Sequence, residues 1–253
     1  MSLSFTARLA DIPVGIRCLY PQTRAFLSAY LTGEAPAFTV TVEETDIREE
    51  EKKSQQEDLA EGIPVRSFPD SYLETLALYR KIAVEMLAYD VLLIHGSAVA
   101  VDGRAYLFCA RSGTGKSTHT RLWRERFGSR ALMVNDDKPL VRLTPDSAVV
   151  YGTPWDGKHH LSAPVAVPLD ALCILTRAEE NTVTPLTSSV MFPLIYAQTY
   201  RPGDPAAMAK TLELLSRLLT LCPAYRLGCN MNPDAARVAY EGMKKKVKNG
   251  FLP

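Results

Sequence analysis

No stretch of this sequence approaches the roughly 18 consecutive apolar residues that a membrane span requires, and its N-terminal region carries no long apolar segment. Neither a membrane partner nor a secretory leader is therefore expected. Paired cysteines are also missing. Cys18, Cys109, Cys173, Cys222 and Cys229 are scattered and odd in number, with no C-x-x-C spacing, which excludes a zinc ribbon and a disulfide framework. Charge of one sign is not in excess either: 29 Lys and Arg face 28 Asp and Glu, leaving a formal charge of +1. Such a surface has no large field with which to gather nucleic acid, so no nucleic-acid partner is expected. There is no internal repeat and no low-complexity tract. These absences together point to a globular protein of a reducing cytoplasm.

What is present supports the same class. Hydrophobic residues make up 47% and charged residues 23% of 253 positions, enough to bury a full core. Residues 38–42 alternate with period two and predict a strand, whereas the charged run over 43–58 reads as a solvated loop or helix face. Asp70 and Ser71 offer caps to a helix reaching about Tyr89. The texture then changes near Asp90, which suggests a small N-terminal α+β lobe over 1–90 and a nucleotide-type α/β domain over 91–253. In the second part Val91–Ile94 predicts a buried strand, and Asp102-Gly103 predicts a tight hairpin. A helix follows over about 117–127, then a strand over 131–134 ending in Asn135-Asp136-Asp137. Further strands are expected at 149–151, 172–175 and 224–227, with helices over about 189–200 and 205–221. A last helix is capped by Asn232 and Pro233 and ends in the basic tail Lys244-Lys245-Lys246. The fold class is α/β, a mixed sheet with flanking helices.

The strongest chemical signal is Ala110-Arg111-Ser112-Gly113-Thr114-Gly115-Lys116-Ser117, placed between a strand and a helix. A triphosphate needs converging backbone N–H groups, a cation, and a hydroxyl for Mg²⁺. Ser112, Gly113, Thr114, Gly115, Lys116, Ser117 and Thr118 supply these on the positive end of a helix dipole. Lys116 would reach the β- and γ-phosphates as a solvent-facing ammonium, and Ser117 would ligate the metal. The strict pattern asks for glycine where Ala110 stands. Downstream, Asp136 and Asp137 could divide the work of holding Mg²⁺ and taking a proton, although Asn-Asp-Asp is also good loop chemistry. His95 by itself reads most simply as a hydrogen-bonded core histidine.

Taken in order, His95-Gly96, a hairpin, the x-x-Ser-Gly-x-Gly-Lys-Ser loop and Asp136-Asp137 resemble the catalytic domain of the HPr kinase/phosphorylases. That domain in turn resembles the nucleotide core of the phosphoenolpyruvate carboxykinases. Lys116 follows His95 by 21 residues, a spacing similar to that family's. The likeness covers about 92–155; the first ninety residues are shorter than the usual N-terminal domain of that family. The resemblance implies ATP and Mg²⁺ as cofactors, Asp137 as general base, Asp136 with Ser117 on the metal, and His95 orienting Asp137 or touching the transferred group.

The segment from Gly152 to His160 concentrates Trp155, Asp156, Lys158, His159 and His160, a mixture poorly suited to burial. It is the expected substrate-facing loop, mobile without ligand. Three functions compete. The first is a Mg-ATP-dependent kinase with a hydroxyl acceptor, in a protein serine or a small molecule. The others are a carboxykinase-like lyase and a non-catalytic ATP-binding module that recognises a peptide or protein. The acceptor is open, and a homo-oligomer is compatible with the sequence.

Overall fold

The computed structural model describes residues 3–244, so Lys245 and Lys246 of the basic tail lie outside the described residues. The chain divides into two compact units, with the boundary between Val91 and Leu92. The first contains β1 (Leu3–Leu9), β2 (Ile12–Cys18), α1 (Pro21–Phe26), β3 (Leu31–Thr32), β4 (Phe38–Thr41), α2 (Glu44–Glu61) and α3 (Asp70–Glu85). Its strands form a four-stranded sheet in the order β3-β1-β2-β4. Ala10 and Asp11, both at positive φ, make the tight turn between β1 and β2.

Two local expectations change here. The charged run forms a regular helix, α2, but not a wholly solvated one: Glu50 and Asp58 are buried. Glu50 is paired with Lys53 and Arg80, and Asp58 with Arg66. Asp70 does not cap α3, because its carboxylate instead accepts from Tyr20 and Arg48.

The second unit carries β5 (Val91–Leu93), which begins at the boundary, then β6 (Ser97–Val101), β7 (Arg104–Cys109), α4 (Lys116–Phe127) and β8 (Ala131–Asn135). There follow β9 (Leu140–Leu143), β10 (Ala148–Tyr151), β11 (Ala166–Arg177), β12 (Thr182–Leu186), α5 (Ser188–Tyr196), α6 (Pro205–Leu221), β13 (Ala224–Cys229) and α7 (Asp234–Met243). Their sheet has nine strands, ordered β5-β9-β10-β11-β7-β6-β8, with β13 also on β11 and β12 on β13. The expected mixed α/β architecture with flanking helices is what forms: β11 runs parallel to β7 and β13, while β6 is antiparallel to β7 and β8.

Strand β11 joins two regions because it is long. Its first residues pair with β10, and its later ones pair with β7 on one edge and β13 on the other. Helices α4 and α7 cover one region of this sheet through a core of Tyr106, Phe108, Trp123, Leu227, Ala236 and Met243. The Tyr106 and Trp123 rings lie 4.9 Å apart. This packing fixes α4, and with it the loop that enters α4 from β7.

Candidate active site

The loop between β7 and α4 turns where Gly113 and Gly115 take φ of +73° and +122°. Space around both Cα atoms is open, so glycine is needed there for backbone conformation rather than for clearance. Ala110 is not among the residues at positive φ, which is why a methyl group is tolerated where the strict pattern has glycine. Its carbonyl accepts a hydrogen bond from Lys116 Nζ at 3.0 Å. Lys116 is thus not the solvent-facing cation expected: it is 9% exposed, drawn in by that carbonyl. Burial lowers its pKa, while Asp137 and Asp136 pull it the other way.

Asp136 follows directly on β8 and is buried, its Oδ1 accepting from Ser97 Oγ on β6. The Ser97 hydroxyl is also 3.3 Å from Thr120 Oγ1, and Thr120 in turn donates to the carbonyls of Lys116 and Ser117. A chain of hydroxyls therefore ties the Asp136 carboxylate to the first turn of α4, where Ser117 and Thr118 lie half-buried. Neither Ser97 nor Thr120 was singled out from sequence, since a buried hydroxyl inside a strand or helix carries no local signal.

Asp137 is held by both oxygens. His95 Nε2 stands 3.3 Å from Oδ1, and the Lys138 ammonium pairs with Oδ2. Burial, then the Lys116 charge, lowers the His95 pKa despite the opposing pull of Asp137. The turn that presents Asp137 and Lys138 is fastened by Asn135, whose Oδ1 accepts from both of their backbone N–H groups at 2.8 and 2.7 Å. Lys138 is a site residue that sequence reasoning missed, although its position beside the paired carboxylates was a usable signal. Arg177 is another: from the end of β11 it donates to the carbonyls of Gly113 and Thr114 within the phosphate loop.

The segment expected to be polar and loosely packed is buried through its first half. Gly152 to Asp156 are all buried, and Trp155 is only 5% exposed. The reason is local: the Asn135 amide donates to the Thr153 carbonyl and hydroxyl, and Thr153 Oγ1 donates to the Lys138 carbonyl. A side chain at Gly152 would fall 1.8 Å from the Ala163 carbonyl oxygen, so the backbone can pass there only as glycine. Trp155 accordingly anchors the turn that carries Asp137, and its carbonyl accepts from Lys138 N. Asp156 accepts from Ser162 and lies 3.2 Å from His160 Nδ1, while Lys158 and His159 are exposed.

Among the described residues no group of three or more His, Cys, Asp or Glu side chains could hold a metal ion by itself. The oxygen donors available near the loop, the Ser117 hydroxyl on α4 and the Asp136 carboxylate after β8, are of the type that suits a cation keeping most of its ligands as water and phosphate oxygen. No helix among the described residues is long and apolar enough to cross a membrane.

No family model matches this chain, and neither does any curated protein. Among solved structures, it is similar to the Hpr(Ser) kinase/phosphatase from Coxiella burnetii, with a TM-score of 0.37 and 9% sequence identity. The match covers 59% of this chain and 94% of that one. A likeness at that level carries no argument about function.

Proposed function

We propose that this chain binds Mg-ATP through residues 112–118 and transfers the γ-phosphoryl group to an acceptor hydroxyl. The observation that carries this reading is the conjunction of a left-handed glycine loop, a buried Lys116, and two consecutive aspartates, Asp136 held by Ser97 and Asp137 held by His95 and Lys138. A loop that only turned a strand into a helix would have no use for the hydroxyl chain that holds Asp136 against the same helix.

The residues divide the work by position. Backbone N–H groups of the loop and the start of α4 bind the phosphates, and Lys116 exchanges its Ala110 carbonyl for phosphate oxygens. Ser117 and Asp136 would hold Mg²⁺, which when bound neutralises charge on the β- and γ-phosphates. Asp137, oriented by His95 and Lys138, takes the proton of the acceptor hydroxyl as its oxygen bonds to the γ-phosphorus. The bond from that phosphorus to the β-bridging oxygen breaks, and ADP carries away the electron pair. Lys138 adds positive charge beside the transferred group. Trp155 supports this arrangement from beneath by bracing the turn. A purely binding module would need neither His95 nor the clamp on Asp137, which is why catalysis is the favoured reading.

The deciding experiment is Lys116→Ala, with ATP binding followed by calorimetry and the fold by circular dichroism. Nucleotide affinity should fall to near background. Stability should hold or rise, because a buried ammonium with a single hydrogen bond is removed. Unchanged ATP binding by a folded variant would refute the phosphate-loop reading.

A further inference from the structure

The glycines of the phosphate loop are not held by packing. A Cβ added at Gly113 or Gly115 would meet nothing within 4 Å, so no neighbour selects their positive φ, and glycine visits either sign of φ at similar cost. An anion cradle, however, needs its N–H groups turned inward and its carbonyls turned away. Within the loop the Thr114 N–H is already taken by the Arg111 carbonyl at 3.2 Å. The choice of which way the next peptide faces falls to a group outside the loop.

Strand β11 supplies that group. Ile174 lies opposite Cys109, the last residue of β7, so Arg177 stands three residues beyond the point where the loop begins. Its backbone is fixed there by pairing with Cys229 on β13, and the following N–H, that of Ala178, donates to the Cys229 carbonyl at 3.0 Å. From this base the exposed guanidinium donates Nη2 to the Gly113 carbonyl at 2.6 Å and Nε to the Thr114 carbonyl at 3.3 Å. A planar fork of this kind holds two acceptors at once, which an ammonium on a flexible stem does not. The Thr114 carbonyl and the Gly115 N–H belong to one rigid peptide plane and point in opposite directions. Fixing the carbonyl toward Arg177 therefore turns the Gly115 N–H away from it, and that N–H has no partner among the described residues. Two carbonyl oxygens of the loop are thus held by a cation rather than left to oppose an anion.

We infer that Arg177 is a positioning residue of the phosphate site: it holds the Gly113 and Thr114 carbonyls outward, so that the Gly115 N–H is aimed at the phosphates before nucleotide arrives. The inference rests on the phosphate-loop reading above, and it adds a residue outside the loop that touches no ligand. Its contribution to affinity is preorganisation, because two glycines that are already ordered lose less conformational freedom on binding.

Order in the free protein and affinity in the complex are tested separately. With isotopically labelled glycine and no ligand, the Gly113 and Gly115 amides should show a heteronuclear NOE as high as that of glycines in the strands. In Arg177→Met the NOE should drop at those two glycines alone, with the melting temperature held. Arg177→Met and Arg177→Lys should each bind Mg-ATP about tenfold more weakly than wild type, and Mg-tripolyphosphate by the same factor, since the two ligands share the phosphates. The lysine variant decides between charge and aim, because it keeps the charge and loses the fork. Wild-type affinity in Arg177→Lys would show that charge alone acts and would overturn the inference. So would glycine amides as ordered in Arg177→Met as in wild type, or a loss for Mg-ATP with tripolyphosphate binding unchanged. Each of these leaves the phosphate-loop reading standing. Failure of the wild type to bind either ligand would overturn that reading and the inference together.

Discussion

Glu74 in the first unit is fully buried, yet its carboxylate accepts from the backbone N–H groups of Leu19 and Tyr20 and from the Thr23 hydroxyl. Asp58 is likewise saturated by the backbone and guanidinium of Arg66, which hold its pKa below the usual carboxylate value. Lys116 in the second unit is buried with one hydrogen bond, to a carbonyl, out of three that an ammonium can donate. Asp136 has one hydroxyl donor, and His119 Nδ1 has none. Buried polar groups that are fully paired fix a structure, whereas buried polar groups with spare capacity keep a cost that a ligand or a water relieves. On the proposed reading, nucleotide and metal would meet the spare capacity of Lys116 and Asp136.

The sharpest way to break that contrast is Asp137→Asn. An amide cannot accept the proton, so turnover should fall by about 10²–10⁴-fold while Mg-ATP affinity and melting temperature hold. Equal loss of binding and turnover would make Asp137 the metal ligand and exchange the roles of the two aspartates. The mirror experiment in the first unit is Glu74→Leu. Three donors lose their acceptor at once, and equilibrium unfolding should show a loss of about 3–5 kcal/mol. The folded fraction should bind nucleotide as before; a change in affinity instead would place Glu74 in the binding machinery.

Much of the second unit was readable from local signals. Asp102 at φ +53° and Gly103 at +73° make the hairpin their dipeptide announced, and Asp204 caps α6 by accepting from Ala207 N. The glycine-rich turn into α4 and the aspartates after β8 were equally visible, because each is a contiguous run flanked by a predictable strand or helix. What escaped depends on partners distant in sequence. Strand β12 contains Pro185 and is mostly exposed, and it forms because β13 offers an edge to pair with. Strand β11 runs twelve residues, where the apolar run over 172–175 suggested four, since Asp170 interrupts the pattern while Arg104 pairs with it. The burial of Trp155 depends on Asn135 and Thr153, eighteen residues apart. Within the candidate site, sequence named the residues proposed to touch a ligand and missed Ser97, Lys138, His119 and Arg177, which pack or hydrogen-bond around them.

The pH dependence of stability tests the spare capacity at His119. Burial lowers its pKa from 6.5 to about 4. Above pH 6.5 the imidazole is neutral folded and unfolded, and there is no penalty. As pH falls below 6.5 the unfolded chain takes a proton that the folded chain refuses, so stability is lost at up to ~1.4 kcal/mol per pH unit. The loss levels off near pH 4, at about 3 kcal/mol in total. His119→Gln, whose side-chain oxygen can still accept from Trp123, should flatten the wild-type slope between pH 6.5 and 4.5 in urea melts. Identical slopes would show that His119 titrates alike in the folded and unfolded chain and that burial does not hold it neutral.

Ser97→Ala should have the smallest effect and separates the two kinds of burial most finely. Removing the hydroxyl takes the donor from Asp136 and breaks the link to Thr120, a loss of about 1–3 kcal/mol without ligand. If that link only fixes the fold, the deficit relative to wild type should be the same with and without Mg-ATP, as it should be for Glu74→Leu. If it aims Asp136 at the metal, the variant also binds Mg-ATP more weakly. Ligand then stabilises the wild type more than the variant, because stabilisation follows the logarithm of ligand concentration over Kd. A fivefold weaker Kd would widen the deficit by about 1 kcal/mol at saturating ligand. Thermal melts of wild type, Ser97→Ala and Glu74→Leu, each with and without Mg-ATP, read this directly. A widening confined to Ser97→Ala supports the aiming role, and parallel deficits in both variants would reduce Ser97 to a structural hydroxyl.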